Sequence, residues 1–392
     1  MSRLPIPDQV TLKGLSLGPS QVLGGIRLVP ILRDQVREDL RIGLRSYAEE
    51  HSVVSVDGVP ESPSIAYTSY IPHGLVVRWG EGGLPAAAFG TELHTAAEAK
   101  KRKLKHGVPI LHRMAKREDR DLLRLLPLHL AMEGFLALHF GGPEIAWSEY
   151  SKTAKRYGLS PRVEYSTSGR GIRGLDDALR SFELHIDQVG ALVFVADALA
   201  TAFVVSHPDD YRRLHRSLIR DFFGELIWHY SLLDAQSHME ATIDASRVNS
   251  IGDLSRALGE LRNQWASFHE HMAEGLLSRP VMSERVYRAG AFQLFRFCSE
   301  LVPAEENHLG EMILRENGEL EYLKTFRLSA AQVRRGFLLK RLAEHNWNLE
   351  ATARAERQSK EDLILRLERA GFAYLIAEHV LDEARSKRRT RR

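Results

Sequence analysis

The run Gly190 to Val205, GALVFVADALATAFVV, constrains the fold of this 392-residue chain more than any other stretch. It is 16 residues long with Asp197 inside it, while a membrane-spanning helix needs about 20 apolar residues. It divides at Asp197-Ala198 into two β-rich halves, which predicts a hairpin and therefore a sheet. The next segment, SHPDDYRRLHRSLIRDFFGELIWHY, predicts a helix laid on that sheet. Ser206 or His207 stands at the N-cap, and Pro208 falls in the first turn, where its missing N–H costs nothing. Asp209 and Asp210 face the positive end of the helix dipole. Tyr211, Leu214, Leu218, Phe222 and Leu226 recur at three- and four-residue steps and form one apolar stripe.

The length suggests two or three domains, and 44% apolar with 27% charged residues is a globular composition with material for a core. A formal net charge of +3 confines any nucleic-acid surface to a local patch. The single cysteine, Cys298, excludes an intramolecular disulfide and a multi-cysteine zinc site; its apolar setting, QLFRFCSEL, places it in the core. The start, MSRLPIPDQV, has no apolar signal region, so the expected location is cytoplasmic with no membrane partner.

From Leu12 to about Tyr70 the pattern predicts strands and one helix. Gly24-Gly25 reads as a turn before strand residues Ile26, Leu28 and Val29. Val36, Leu40 and Leu44 have helical spacing. HSVVSVDG and HGLVVRWGEGG are short β-rich runs closed by glycine. A helical insertion is expected near residues 96–140. Within it Lys100 to His106 holds five Lys or Arg in seven residues, a solvated helix end or, on the sharper reading, a phosphate-binding patch. Leu125 to Phe140 predicts an apolar helix bearing His129, Glu133 and His139. His129 and Glu133 share a face, but two ligands do not make a metal site. The glycines of STSGRGIRGLDDALR, Ser166 to Arg180, fit neither phosphate-loop spacing and predict a loop capped by Asp176 or Asp177.

From Ser231 to about Ala330 the pattern reads as helical. Three amphipathic helices are expected, DLSRALGELRNQWASFHEHMAEGLL, ERVYRAGAFQLFRFCSELV and EENHLGEMILRENGELEYL. The last would place Glu305, His308 and Glu311 on one face, half of a di-iron bundle site without its other half.

Two stretches, LSLGPSQVLGGIRLVPIL and DQVGALVFVADALATAFVVSHPDDYRRLHRSLIRDFF, resemble the ARG and rhodanese-phosphatase-superfamily-associated protein domain, ARPP type 1. The second is the more specific, with Gly190, a hairpin, a helix-opening His-Pro-Asp and a Leu-rich helix in the family's order. Trp147 matches a tryptophan between them. The resemblance covers roughly residues 10 to 230. It implies a setting in NAD and ADP-ribose metabolism and carries over no catalytic residue. Gly80-Glu81 are present, but GGLPAAAFGTELH follows them in place of the family's Gln-Asn-Arg segment and later cysteine.

The stretch HNWNLEATARAERQSKEDLILRLERAGF, His345 to Phe372, resembles the Fis-type helix-turn-helix without a gap. Asn348, Ala351, Ala353, Arg354 and Ala355 match its first helix, Ser359 the cap of the second, Leu363 and Leu367 its inward face and Gly371 its stop. RRGFLLKRLAEH supplies a supporting helix with Leu338, Leu339 and Leu342. The joint departs from the family: Glu356-Arg357-Gln358 replaces an apolar-Gly-apolar turn, and an arginine in a left-handed backbone costs roughly 1 kcal/mol or more. Glu361 and Asp362 suit the helix dipole but repel phosphate. Six of the last eight residues are Lys or Arg, which predicts a disordered basic arm that binds nucleic acid through counterion release.

The expected fold is α+β: a mixed-sheet domain with packed helices over residues 1–230, a helical connector and dimerisation region over 231–330, the helix-turn-helix over 331–378 and a basic tail over 379–392. The resemblance implies a bacterial DNA-binding regulator acting as a homodimer, with the amino-terminal domain sensing or assembling. Ser359, Lys360, Arg366 and Arg369 would contact the groove, and Lys387, Arg388, Arg389, Arg391 and Arg392 the phosphates. The alternatives are a protein-interaction module with a relic helix-turn-helix, and an ADP-ribose- or NAD-linked binder or enzyme. Whether the chain is an enzyme stays open; no catalytic constellation, cofactor or metal site is assigned.

Overall fold

The computed structural model describes residues 5–23, 26–42, 45–47, 52–55, 65–69, 75–79, 86–88, 91–95, 117–119, 122–123, 182–195, 198–217, 243–328, 330–373 and 376–390. Its centre is one nine-stranded sheet in which the described strand pairs are all antiparallel. The strands are β1 (Ser16–Leu17), β2 (Gln21–Leu23), β3 (Ile26–Leu32), β4 (Gln188–Val195), β5 (Ala198–Val204), β6 (Val281–Ala289), β7 (Phe292–Ser299), β8 (His308–Arg315) and β9 (Leu320–Arg327). Their order is β1-β3-β4-β5-β9-β8-β7-β6, with β2 also paired to β3. The hairpin predicted at Gly190–Val205 is present as β4 and β5, with Val195 opposite Ala198. Gly190 permits its close pairing: a Cβ there would lie 2.2 Å from the Phe203 carbonyl oxygen.

The helical reading of residues 281–327 is overturned. Both segments read there as amphipathic helices are β-hairpins, β6–β7 and β8–β9. The physical reason lies in burial on two sides. Phe292, Leu294 and Cys298 point into one core cluster, while Phe295 and Phe297 point into the other. A strand buried on both faces loses its alternation of polar and apolar residues, so periodicity alone does not separate it from a buried helix. His308 and Glu311 therefore occupy opposite faces of β8, and Glu305 lies outside it, ion-paired to Arg279. Among the described residues no group of three metal-ligating side chains occurs. The sheet also crosses position 230, where the sequence pattern suggested a boundary.

Other expectations divide in the same way. The helical spacing of Val36 and Leu40 gives no helix: Leu40–Ile42 and Arg45–Tyr47 are strands, and Leu44 lies outside the described residues. Leu40 is buried and pairs with Trp79, so tertiary contacts override the three- and four-residue spacing. Ser52–Ser55 and Leu75–Trp79 are strands as expected. A two-stranded pair, Arg117–Asp119 with Leu122–Leu123, lies inside the stretch read as a helical insertion. The turn at Gly24-Gly25, Asp197, Gly80-Glu81, the basic run at Lys100 to His106, the helix bearing His129, Glu133 and His139, Trp147, and the glycine-rich stretch lie outside the described residues.

The described residues form seven α-helices: α1 (Pro208–Ser217), α2 (Ile251–Met272), α3 (Glu274–Leu277), α4 (Ala330–Glu344), α5 (Leu349–Ala355), α6 (Lys360–Arg369) and α7 (Glu378–Thr390). Two core clusters lie on the two faces of the sheet. One joins Val193, Phe203, Ile313 and Phe326 to Tyr211 of α1 and to Leu338, Leu342, Leu363 and Leu367 of α4 and α6. The other joins Leu192, Phe194, Phe295 and Leu323 to Val10, to Ala273 and to Leu276 of α3. The architecture is α+β, with Cys298 fully buried. Among the described residues no helix is long and apolar enough to cross a membrane.

Helix α1 starts where the sequence places it. The His207 carbonyl accepts from the Tyr211 N–H at 3.1 Å, and His207 Nδ1 accepts from the Asp209 N–H at 3.1 Å, so His207 is the cap. Asp210 does more than face a dipole. It receives two hydrogen bonds from Arg41, at 3.0 and 2.9 Å, and one from the Ile42 N–H at 3.0 Å. His207 Nε2 lies 2.9 Å from Glu38. The His-Pro-Asp-Asp signature thus pins α1 to the strand Leu40–Ile42, a tie between segments far apart in sequence.

Candidate nucleic-acid interface

The carboxyl-terminal helices owe their boundaries to a few side chains. Asn348 Oδ1 caps α5, accepting from the Glu350 and Ala351 N–H groups at 3.0 Å each. Ser359 Oγ caps α6, accepting from the Asp362 N–H at 3.0 Å. These are the free N–H groups of a helix start, and each such cap contributes about 1 kcal/mol. Three non-glycine residues bend the chain between helices in the left-handed region: Asn346 at φ 51°, Trp347 at 60° and Arg357 at 51°. Arg357 therefore holds the conformation that its place in the joint implied, without a glycine. Gly371, at φ 85°, ends α6, and the Arg335 guanidinium lies 4.9 Å from the centre of the adjoining Phe372 ring.

Helix α6 is gripped from two sides. Leu363 and Leu367 face the core cluster shared with α4 and the sheet. Ile364 and Leu365 face a smaller cluster with Leu381 and Ala384 of α7. What α6 offers to solvent is an edge bearing Asp362, Arg366 and Arg369, with Lys360 exposed at the helix start.

The Ser359 hydroxyl is engaged at the helix start, and it also donates to Asp362 Oδ2 at 2.7 Å. Lys360 Nζ lies 3.1 Å from Glu350. Arg366 lies 3.2 Å from Glu356, which also accepts from Arg341 at 2.6 Å. Burial works to raise the Glu356 carboxyl, but hydrogen bonds from Arg341 and Arg366 outweigh it and hold it below the ordinary range. Arg369 Nε donates to the Leu365 carbonyl at 3.1 Å. Lys387 lies 2.7 Å from Glu383 and 3.4 Å from Glu361; hydrogen bonding to Glu383, first, raises its pKa. No ion pair is seen for Arg388 or Arg389 among the described residues. Arg391 and Arg392 lie outside the described residues. The structure thus brings Lys387 beside α6 with Arg388 and Arg389 in the same last turn of α7, and places Arg366 and Arg369 in the last turn of α6, more than a turn from Lys360.

The tail is a correction. In place of a disordered arm, Arg385 to Thr390 continues α7. Leu381 and Ala384 anchor that helix against α6, and Glu383 with Lys387 forms a helix-stabilising pair four residues apart. Cations in the last turn also suit the negative end of the helix dipole. Composition alone hid this, because the anchoring residues precede the basic run.

A family model described as ARPP-2 matches residues 10–290. It bears out an ARPP-type domain; the type is 2 where the resemblance indicated type 1, and the match runs to 290 where the resemblance stopped near 230. It ends inside the sheet and before α4. No curated protein and no solved structure matches the chain.

Proposed function

The chain belongs to the ARPP-2 family, and we propose that it is a DNA-binding regulatory protein that holds the duplex through phosphates. In this reading the basic end of α7 supplies the phosphate contacts, and Lys360 at the start of α6 with Arg366 and Arg369 on its exposed edge supply the groove contacts. The Fis-like character of α5 and α6 and a homodimeric assembly belong to the same proposal, since one small recognition unit gains affinity from a two-fold partner. The observation that carries it is the last turn of α7, where Arg388 and Arg389 stand beside Lys387 without acidic partners among the described residues. A phosphate contact there releases counterions and gives a salt-dependent affinity.

The test is duplex binding by fluorescence anisotropy across a salt series. Replacing Lys387, Arg388 and Arg389 together by alanine is expected to flatten the slope of log K against log salt by about 0.9 per lost contact, roughly 2 to 3 in all. An unchanged slope would overturn the reading.

A second reading, a protein-interaction module, is favoured by the packing of α6 on both sides. A helix held between sheet and α7 has little surface left for a groove. This reading is supported if the native chain binds no duplex at low salt yet sediments as a defined assembly.

A further inference from the structure

Helix α2 carries an apolar line that its own fold covers at one end only. Ile251, Leu254, Leu258 and Leu261 follow one another at steps of three, four and three, Phe268 lies one heptad past Leu261, and Met272 comes four residues later. These are a and d positions of a heptad repeat, the pattern by which one helix packs along another. At the far end of the line the sheet supplies the packing. His269 is 1% exposed, with its ring 5.8 Å from that of Phe194. The Arg27 guanidinium lies 5.7 Å from the centre of the Phe268 ring, and Met272 packs against the core cluster of Leu192 and Phe295.

The near end is open. Ile251 is 88% exposed, Leu254 40% and Leu258 36%. Among the described residues, a Cβ on Gly259 would meet nothing within 4 Å, and one on Gly252 only the Ser250 hydroxyl. The helix is firmly begun all the same: Ser250 Oγ accepts from the Asp253 N–H at 3.1 Å. Single exposed apolar residues are ordinary on a protein surface. A run of them in heptad register on one helix is not, and marks a surface that another helix covers.

The spacing of the line points to its occupant. Steps of three, four and three read the same from either end. A two-fold axis at the level of Arg256 therefore sets Ile251 of one copy against Leu261 of the other, and Leu254 against Leu258, with each a position facing a d. Ser255 and Ala257 flank the line beside that axis. Both are small and uncharged, so two copies bring no like charges together there, and no charge selects a foreign helix. Asp253, Arg256 and Glu260 take the outward heptad positions, where Arg256 lies 3.4 Å from Asp253. A parallel pair would crowd both sheets at one end, since each sheet holds its own line at Phe268 to Met272; an antiparallel pair puts them at opposite ends and opposes the helix dipoles. We propose that α2 pairs antiparallel with α2 of a second copy through Ile251, Leu254, Leu258 and Leu261. The seam gives the homodimer proposed above its surface and rests on that part of the reading, not on duplex binding.

Sedimentation of the full chain across a concentration series reads the assembly, and the native chain is expected to pass from monomer to dimer as concentration rises. Leu254→Glu combined with Leu258→Glu should weaken the dimer at least about a hundredfold, because four apolar side chains at the seam become carboxylates that pairing would bury. Both positions are exposed in the single copy, so this variant should keep the native thermal midpoint at a dilution that dissociates the native dimer. Cross-linking reads the direction, since Cys298, the one cysteine of the chain, is buried. Antiparallel pairing separates the two Ile251 positions by about 15 Å along the axis, so Ile251→Cys should give a disulfide-linked dimer on oxidation only when mixed with Leu261→Cys. A native chain that stays monomeric throughout, a dimer that the double glutamate variant leaves intact, or a disulfide formed by Ile251→Cys alone would each overturn the seam. A dimer that depends on the seam but binds no duplex removes the DNA reading and supports this one.

Discussion

Two clusters of arginines and carboxylates show what burial does to the same chemistry. The first ties the end of the sheet together. Arg33, 3% exposed, lies 3.1 Å from Glu321, 2% exposed, and also donates to the Leu320 carbonyl at 2.6 Å. Arg315 donates to Glu321 at 2.7 Å and to both oxygens of Asp39, at 2.7 and 2.9 Å, with its guanidinium 4.7 Å from the centre of the Phe292 ring. The second cluster is the carboxyl-terminal set, in which Lys360, Arg366 and Lys387 meet Glu350, Glu356 and Glu361 while 41–53% exposed. Buried charges depend on their partners and cannot leave them without desolvated loss. Exposed pairs contribute about 0–1 kcal/mol each and can exchange a carboxylate for another anion. The first cluster is therefore read as architecture and the second as surface chemistry, although a list of residue types would not distinguish them.

That contrast can be broken most directly at Glu321. Glu321→Ala leaves Arg33 buried without its carboxylate, and a loss of about 3–5 kcal/mol of unfolding free energy is expected, read by urea denaturation. A loss below 1 kcal/mol would place this cluster with the exposed one.

Acid titration probes burial from the proton side. Burial pushes the imidazole of His215 down to about 4, and burial, then the Arg27 charge, pushes His269 to about 4 as well. Both are held neutral in the fold, so their folded pKa lies below the unfolded value of about 6.5. The stability linked to this difference is fully present above about 6.5 and is lost as pH falls towards 4, where the unfolded chain takes up protons first. Each imidazole contributes on the order of 3 kcal/mol to that loss, and thermal midpoints between pH 7 and pH 4 should fall accordingly. His215→Gln should flatten the dependence; an unaltered pH profile in that variant would count against the assignment. The Asp39 carboxyl, held low first by its hydrogen bonds from Arg315, has the same sign: its stabilisation is present above the ordinary carboxylate range and is lost as pH falls through the folded value.

The smallest effect sharpens the surface half of the comparison. Glu350→Gln removes the acid beside Lys360. Stability should change by less than about 1 kcal/mol, while duplex affinity in the anisotropy assay should rise a few-fold at low salt as the lysine is released. A fall in affinity would mean that the lysine is not a contact.

The parts of the fold that could be read in advance are those built from neighbours in sequence. The β4–β5 hairpin, the Pro208 start of α1, the long helix α2 and the Ser359 cap each rest on local spacing or on one side chain reaching a nearby N–H. The misread parts share another origin. In Phe292 to Ser299, alternate residues enter two separate cores, so no apolar periodicity survives for a reader of the sequence. Residues 40–42 look helical by spacing but are held as a strand by Trp79 and by the Asp210 carboxylate, from distant segments. In the carboxyl-terminal region, helix termini were legible, but the occupancy of Lys360, Arg366 and Lys387 by carboxylates was not.

The sequence by itself determined where chain segments turn, where helices begin and that the last residues are strongly cationic, because these follow from dihedral preference, caps and charge within a few residues. Tertiary structure alone decided that β6 to β9 complete one sheet with β1 to β5, that the cationic end rides on a helix packed against α6, and that Gln293 sits under cover with its amide unmet among the described residues. Those outcomes depend on which surfaces exclude water together, a property of pairs distant in the chain.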